Sequence, residues 1–325
     1  MDHDTGAHPE GPERIRTIER LLEERDWMGY DVTESPRATE EQLVGVHPPA
    51  QIAAVREHCE QGVPFDLDTP TSPGSWEAAL RSAGAPCAMV EALLAGDAPT
   101  GFCGLRPPGH HAEADRAMGF CLLSNVAIAA RFAIDTLGVE RVLVLDWDVH
   151  HGNGTNAIFH SSPEVLFASI HQWPFYPGTG SLADAGSGPG EGFTINLPVP
   201  AGAGEEEFLG LVQHVVSPAA REFGPGLILI SAGFDAHRDD PLADCVLDCS
   251  SFAQMAAEIG ALADDLGVPV GAVLEGGYDT GALAESVAAT MEVLATGGQA
   301  RRVEPGALVA AAAQQVGRYW SAVSA

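Results

Sequence analysis

The sequence contains no lysine. All 16 of its fixed cations are arginines, set against 45 aspartates and glutamates, which gives a formal net charge of −29 over 325 residues. A chain so short of positive charge has no basic face with which to neutralise phosphates, and this excludes nucleic acid as a direct partner. An anionic membrane surface would repel it for the same reason. None of the six cysteines (59, 87, 103, 121, 245 and 249) forms a CxxC pair. Cys245 and Cys249 are spaced CxxxC with nothing nearby to complete a zinc knuckle, so the thiols read as ordinary residues of a reduced protein. The start, Met1-Asp2-His3-Asp4, lacks the basic region and apolar stretch of a secretory signal. No apolar run approaches the roughly 18 residues of a membrane span. These absences lead to the expectation of a cytoplasmic protein. The acid excess fits a solubilising surface, and equally one that attracts cationic substrates.

What is present is a large apolar fraction, 46%, and 37 glycines for tight turns. Short apolar runs at 101–105, 142–147, 165–170, 193–197, 227–231 and 270–274 alternate with helical patterns at 76–94, 125–137, 205–223, 252–266 and 281–294. Runs such as Val-Leu-Val-Leu (142–145) and Leu-Ile-Leu-Ile (227–230) have no polar alternation, as expected of parallel strands covered on both faces. The alternation predicts an α/β fold with a doubly wound parallel sheet, and with no long linker or repeat the simplest organisation is one domain over 1–325.

Polar clusters follow the apolar runs. Leu105 leads into Arg106-Pro-Pro-Gly-His110-His111, Leu145 into Asp146-Trp-Asp148-Val-His150-His151, and Ile170 into His171. Ser231 leads into Gly233-Phe-Asp235, and Leu274 into Glu275-Gly-Gly-Tyr278. Ligands of open α/β sheets bind outside the carboxyl ends of the strands, so these segments are expected to converge. In Asp146-x-Asp148-x-His150 the side chains share one face of an extended segment. Two carboxylates and an imidazole gathered there are costly without a cation. Asp148, His150 and Asp235 are the candidate metal ligands, with positions left open as catalytic zinc requires. The alternative is an Asp/His cluster satisfied by backbone amides. His110 and His111 are a candidate acid–base pair, with solvated loop histidines as the alternative. Asp146 and Asn153 are candidate partners that orient those rings. Tyr278 is a candidate donor to an oxyanion, or otherwise a core tyrosine. His58, His160 and His214 read as surface or packing residues, His171 as a residue following a strand, and His237 as rim or structure.

These residues carry a family resemblance. HDTGAHPEGPERI (3–15), RPPGHHAE (106–113), MGFCLLSNVAIAA (118–130), DWDVHHGNGT (146–155), YPGTG (176–180), SAGFDAHRDDPL (231–242) and EGGYD (275–279) resemble, in order, the motifs of the histone deacetylase and acetylpolyamine amidohydrolase superfamily. DWDVHHGNG and EGGY are most similar to its class II-like branch. The resemblance implies an arginase-type α/β fold with a central parallel sheet of about eight strands between helices. In the family, a strand and a short segment precede the stretch that begins here at His3. The resemblance further implies zinc (or ferrous iron) on Asp148, His150 and Asp235. His111 would be general base and then acid, with His110 assisting electrostatically and paired to Asp146, and Tyr278 would polarise the acyl carbonyl. Phe120 and Tyr176 would line an acyl-lysine tunnel beside Gly119 and Leu242, with Arg14 near its foot and Asp68 a candidate at its mouth. A potassium ion would sit on Asp146 and the main chain of Asp148, His150, Ser169 and Ile170.

The implied substrate is an acylated lysine or an acylated polyamine. Leu242, apolar where a carboxylate gatekeeper would select polyamines, leans toward the former. Two rival functions remain: an arginase-like binuclear hydrolase, against which Gly233 stands as a non-ligand, and a module that binds acyl-lysine without cleaving it. Whether copies of the chain form a homo-oligomer is left open.

Overall fold

Each of the six apolar runs becomes a strand in the computed structural model, which describes residues 3–324. They are β1 (Thr100–Cys103), β2 (Val142–Asp146), β3 (Val165–Gln172), β4 (Thr194–Val199), β5 (Leu227–Ala232) and β6 (Val270–Leu274). All neighbours pair in parallel, in the order β1-β6-β5-β2-β3-β4. The helices are α1 (Glu13–Glu24), α2 (Glu40–Val44), α3 (Pro49–Gln61), α4 (Ser75–Ala95), α5 (Asn125–Asp135), α6 (Asn153–Phe159), α7 (Glu205–Leu211), α8 (Ser217–Phe223), α9 (Cys249–Leu266), α10 (Thr280–Thr296) and α11 (Ala307–Val316).

The sheet is covered on both sides, and alternate residues of each strand divide between two cores. Leu143, Leu145, Ile228, Ile230, Leu166 and Ile170 join the side chains of α1, α7, α9, α10 and α11. Val142, Val144, Leu227, Leu229, Val165 and Phe167 join those of α2 to α6 on the opposite face. This is why the strands lack polar alternation. From β2 the chain winds outward through β3 and β4, then returns to β5 on the other side and winds to β6. The winding direction therefore reverses between β2 and β5, the place where α/β sheets open a crevice for ligands.

Three expectations need correction. The sheet has six strands among the described residues, not about eight. The segment before α1 folds into turns (His8 N–H to Gly6 O, Gly11 N–H to Pro9 O). The helix expected at 205–223 is broken by a π-type turn at Val212–Val216, where Pro218, near the start of α8, has no N–H to continue the regular ladder. Finally, α4 is long and apolar enough to cross a membrane, with mean hydropathy 1.2. It packs on α3, α5, β1 and β6, and its apolarity is that of a helix covered by the fold. His171 lies within β3 rather than after it, because β4 extends the pairing to Gln172.

Candidate active site

Asp146 ends β2, and the chain beyond it carries Asp148 and His150, while Asp235 follows β5. One ligand atom from each of Asp148, His150 and Asp235 lies within 4.8 Å of the others, and all three residues are buried. Both carboxylates are tied to the main chain, Asp148 through both oxygens, since its Oδ1 also accepts the His150 N–H at 2.8 Å. Gly276 N–H donates to Asp148 Oδ2 (2.8 Å) and Val149 N–H to Asp235 Oδ1 (2.9 Å). The other oxygen of each turns toward His150 Nδ1, at 3.1 Å in both cases. Ligands held about 2.0–2.2 Å from a tetrahedral ion lie about 3.3 Å from one another, so this spacing fits a zinc-sized cation. Charge argues the same way: among the described residues, the ion-pair partners of Asp146 and Asp148 are histidines, and Asp235 pairs only with His150. A Cβ at Gly233 would collide with the Asp148 carboxylate, and one at Gly276 with that of Asp235. Glycine at both positions is thus what lets the two loops close on the triad.

His110 and His111 are buried with their rings 4.0 Å apart, yet their environments push them in opposite directions. Burial works against a charge on His110, but Asp148 and Asp146 outweigh it and hold the ring well above the usual histidine range. Its Nδ1 donates to Asp146 Oδ2 at 3.0 Å. Burial raises the Asp146 carboxyl to about 6, with His110 pulling it back down. For His111, burial and the charges of His110 and His150 act together and drop it well below the usual value. Asn153 Nδ2 donates to Glu113 Oε1 (2.9 Å), which turns Asn153 Oδ1 toward His111 Nδ1 at 2.8 Å. Nδ1 must then carry the hydrogen, and the Nε2 lone pair is left free.

Tyr278 lies beyond Glu275-Gly-Gly, its ring beneath the Arg14 guanidinium at 5.0 Å. Arg14 donates to the carbonyls of Gly277 (2.6 Å) and Glu275 (2.5 Å) and to Glu10 Oε1 (3.2 Å). The Tyr278 N–H is held by Asp240 Oδ2 at 2.7 Å, and Asp240 Oδ1 caps Leu242 N–H at 2.9 Å, so one carboxylate ties both main-chain segments together. Burial pushes the Tyr278 hydroxyl well above the usual phenol range and the Asp240 carboxyl up to about 7.

Phe120 meets Tyr278 edge-on at 5.7 Å, while Tyr176 meets His111 edge-on at 5.2 Å. Gly119 backs His111, and a Cβ there would strike its ring. Asp68 is exposed one residue before Thr69, whose hydroxyl accepts the Phe120 N–H at 3.3 Å, and its charge is felt by His8 and Tyr176. Asp146 pairs with Ser169 across the β2–β3 ladder, with Ile170 next in β3. His58, His160 and His214 are half-buried, bonded to Val63 O, Asp184 and Val303 O. His237 is buried and accepts the Asp239 N–H. Sequence reasoning did not single out His8, Glu10, Arg106, Phe175, Asp240 or Glu275. His8 meets Phe120 at 4.6 Å, and Phe175 stacks on His150 at 5.1 Å. The i,i+4 spacing of Glu10 and Arg14 was the one local signal for their pairing.

Residues 8–294 match the histone deacetylase domain. The chain is 40% identical over 276 residues to the histone deacetylase-like amidohydrolase of Pseudomonas aeruginosa, covering 84% of this chain and 73% of that one. It is 42% identical over 302 residues to a probable deacetylase of Methanothermobacter thermautotrophicus, covering 90% and 87%. With histone deacetylase 14, chloroplastic, of Arabidopsis thaliana the identity is 38% over 314 residues, covering 90% and 74%. The crystal structure of the HDA15 HD domain superposes with a TM-score of 0.91 at 34% identity, covering 98% of this chain and 93% of that one.

Proposed function

Because this chain belongs to the histone deacetylase family, a family of amide-cleaving hydrolases, we propose that it removes acetyl or other short acyl groups from acylated primary amines. It would do so with one divalent metal ion, zinc in the first instance, on Asp148, His150 and Asp235. One observation carries this reading: a buried triad of two carboxylates and an imidazole shares a sheet edge with an oppositely tuned histidine pair and a phenol. An ion held there supplies a Lewis acid for the acyl oxygen and makes water more acidic.

The remaining steps belong to the protein. His111, neutral and with Nε2 free, takes the proton of the attacking water. The same nitrogen then passes a proton to the departing amine. His110, held cationic against Asp146, stabilises negative charge developing beside it. Tyr278 keeps its proton and donates it in a hydrogen bond to the acyl oxygen as charge grows there. Phe120 and Tyr176, with Gly119 and Leu242, form walls suited to a methylene chain, and Asp68 faces the part of the substrate outside. A potassium ion on Asp146 and the main chain of Asp148, His150, Ser169 and Ile170 is proposed with it. The ladder pairing of Asp146 with Ser169 supports that site.

An acyl-lysine and an acylated polyamine present the same group to such a site, and the apolar Leu242 favours acyl-lysine. The test is kcat/KM of the zinc-loaded chain on an acetyl-lysine peptide beside acetylspermidine, with Tyr278→Phe as the control. That variant should keep its zinc and lose about 10²–10³ in kcat, the usual cost of one oxyanion donor. Wild-type turnover by Tyr278→Phe would overturn the assigned roles. Failure to cleave either substrate would overturn the reading itself.

A further inference from the structure

The carboxylate of Glu275 takes no part in the chemistry above, although it is fully buried between the two halves of the site. It follows the last residue of β6, the strand between β1 and β5. Its Oε2 accepts two main-chain donors, Gly109 N–H at 2.7 Å and His110 N–H at 3.1 Å. Its Oε1 accepts the Ser231 hydroxyl at 3.1 Å. The Glu275 N–H is bonded to Ala232 O, and its carbonyl to Arg14.

The sheet explains why a side chain is needed at this point. The β1–β6 ladder ends at Cys103 and Val273, and the β5–β6 ladder at Ala232 and Leu274. Beyond those pairs, no strand among the described residues remains to accept the amides of the loop that leaves β1. Gly109 and His110 would be buried donors without an acceptor, a costly state. The loop has no slack either, since a Cβ on Gly109 would come within 2.5 Å of the Asn125 nitrogen.

We propose that Glu275 is a positioning residue: its carboxylate fixes the loop bearing His110 and His111 against the loop bearing Tyr278, so that base and oxyanion donor address the same acyl group. This rests on the function proposed above. Positioning requires acceptors, not charge. A glutamine could accept both amides with its oxygen and donate to Ser231 Oγ with its nitrogen.

The test compares the zinc-reconstituted full chain with Glu275→Gln and Glu275→Ala, by kcat and KM on an acetyl-lysine peptide and by amide hydrogen exchange at residues 105–112. Glu275→Ala should lower kcat about 10- to 100-fold with KM held within about 3-fold, the pattern expected when a supporting partner of a catalytic group is lost. Exchange should accelerate at Gly109 and His110. Glu275→Gln should restore both kcat and amide protection. A folded Glu275→Gln impaired more than about 10-fold would overturn the proposal, because charge would then carry the effect. So would a Glu275→Ala with wild-type kcat. If Glu275→Ala does not fold, Glu275→Gln alone decides. A wild-type chain without deacylase activity would defeat the functional reading, while the exchange pattern would still test the positioning.

Discussion

Two buried charge clusters lie at one sheet edge, one built on the single carboxylate of Glu10 and one on Asp148 and Asp235. Among the described residues only the first is paired with arginines. Beside Arg14, Glu10 accepts hydrogen bonds from Nε and an Nη of Arg106 at 2.6 Å each, with Arg14 at 3.2 Å and His3 at 3.4 Å. Burial opposes the charge on Glu10, but the hydrogen bonds from His3 and Arg106 overcome it and hold the carboxyl well below its usual range. Beyond β2 and β5, by contrast, the ion-pair partners of Asp148 and Asp235 among the described residues are the histidines His150 and His110. Burial works against a proton on His150, yet the two carboxylates raise it to about 10. The first cluster is a finished piece of structure, supplied with its cations by the chain. Among the described residues the second has no arginine partner, which is what the proposed function uses in placing a metal ion there. Buried carboxylates paired only with titratable histidines are costly, and a cost of that kind is more common at binding sites than in scaffolds.

The comparison predicts that damage on the two sides reads out differently. The largest effect falls on the histidine-paired side. His111→Ala should lower kcat by about 10²–10⁴ while zinc content and melting temperature stay near wild type. A small loss would move the base elsewhere. On the arginine-paired side, Glu10→Gln should appear first as lost stability, about 3–5 kcal/mol at neutral pH, because two buried guanidiniums lose their counter-charge. The pH dependence has a definite sign. The folded-state pKa of Glu10 is depressed, so its contribution is fully present above the unfolded value of about 4.3 and is lost as pH falls toward the folded value. The gap between wild type and Glu10→Gln in denaturant unfolding should therefore narrow below about pH 4.5. A gap that stays constant with pH would show that the charge is not what matters. The smallest effect belongs to the rim. Asp68→Asn should raise KM for a cationic peptide about 2- to 5-fold, as for an exposed charge, with kcat unchanged and the difference fading in salt. A change in kcat would place Asp68 closer to the chemistry.

The sequence made some of this legible and hid the rest for reasons that can be named. Strands β2, β3 and β5 read clearly because burial on both faces leaves unbroken apolar runs. Helix α1 did not, since its buried side is only Arg14, Ile15, Ile18 and Leu22 within a highly charged segment. The π-turn before α8 follows from one proline acting on hydrogen bonds, which periodicity does not register. In the site, Asp148 and His150 stood out because they share a face two residues apart. Asp235 stood out because it comes just after another long apolar run. Glu10 and Arg106 are 96 residues apart and meet only through the fold. Asp240 and Glu275 work on backbone N–H groups, which leave no pattern in the residue types around them.

The central claim is that Asp148, His150 and Asp235 hold a single metal ion on which amide hydrolysis depends. The most direct measurement is acetate release from an acetyl-lysine peptide by chelator-stripped protein as zinc is added back. Activity should be absent at first, rise linearly, and break at one ion per chain. Activity that survives stripping, or a break at two ions per chain, would contradict the account.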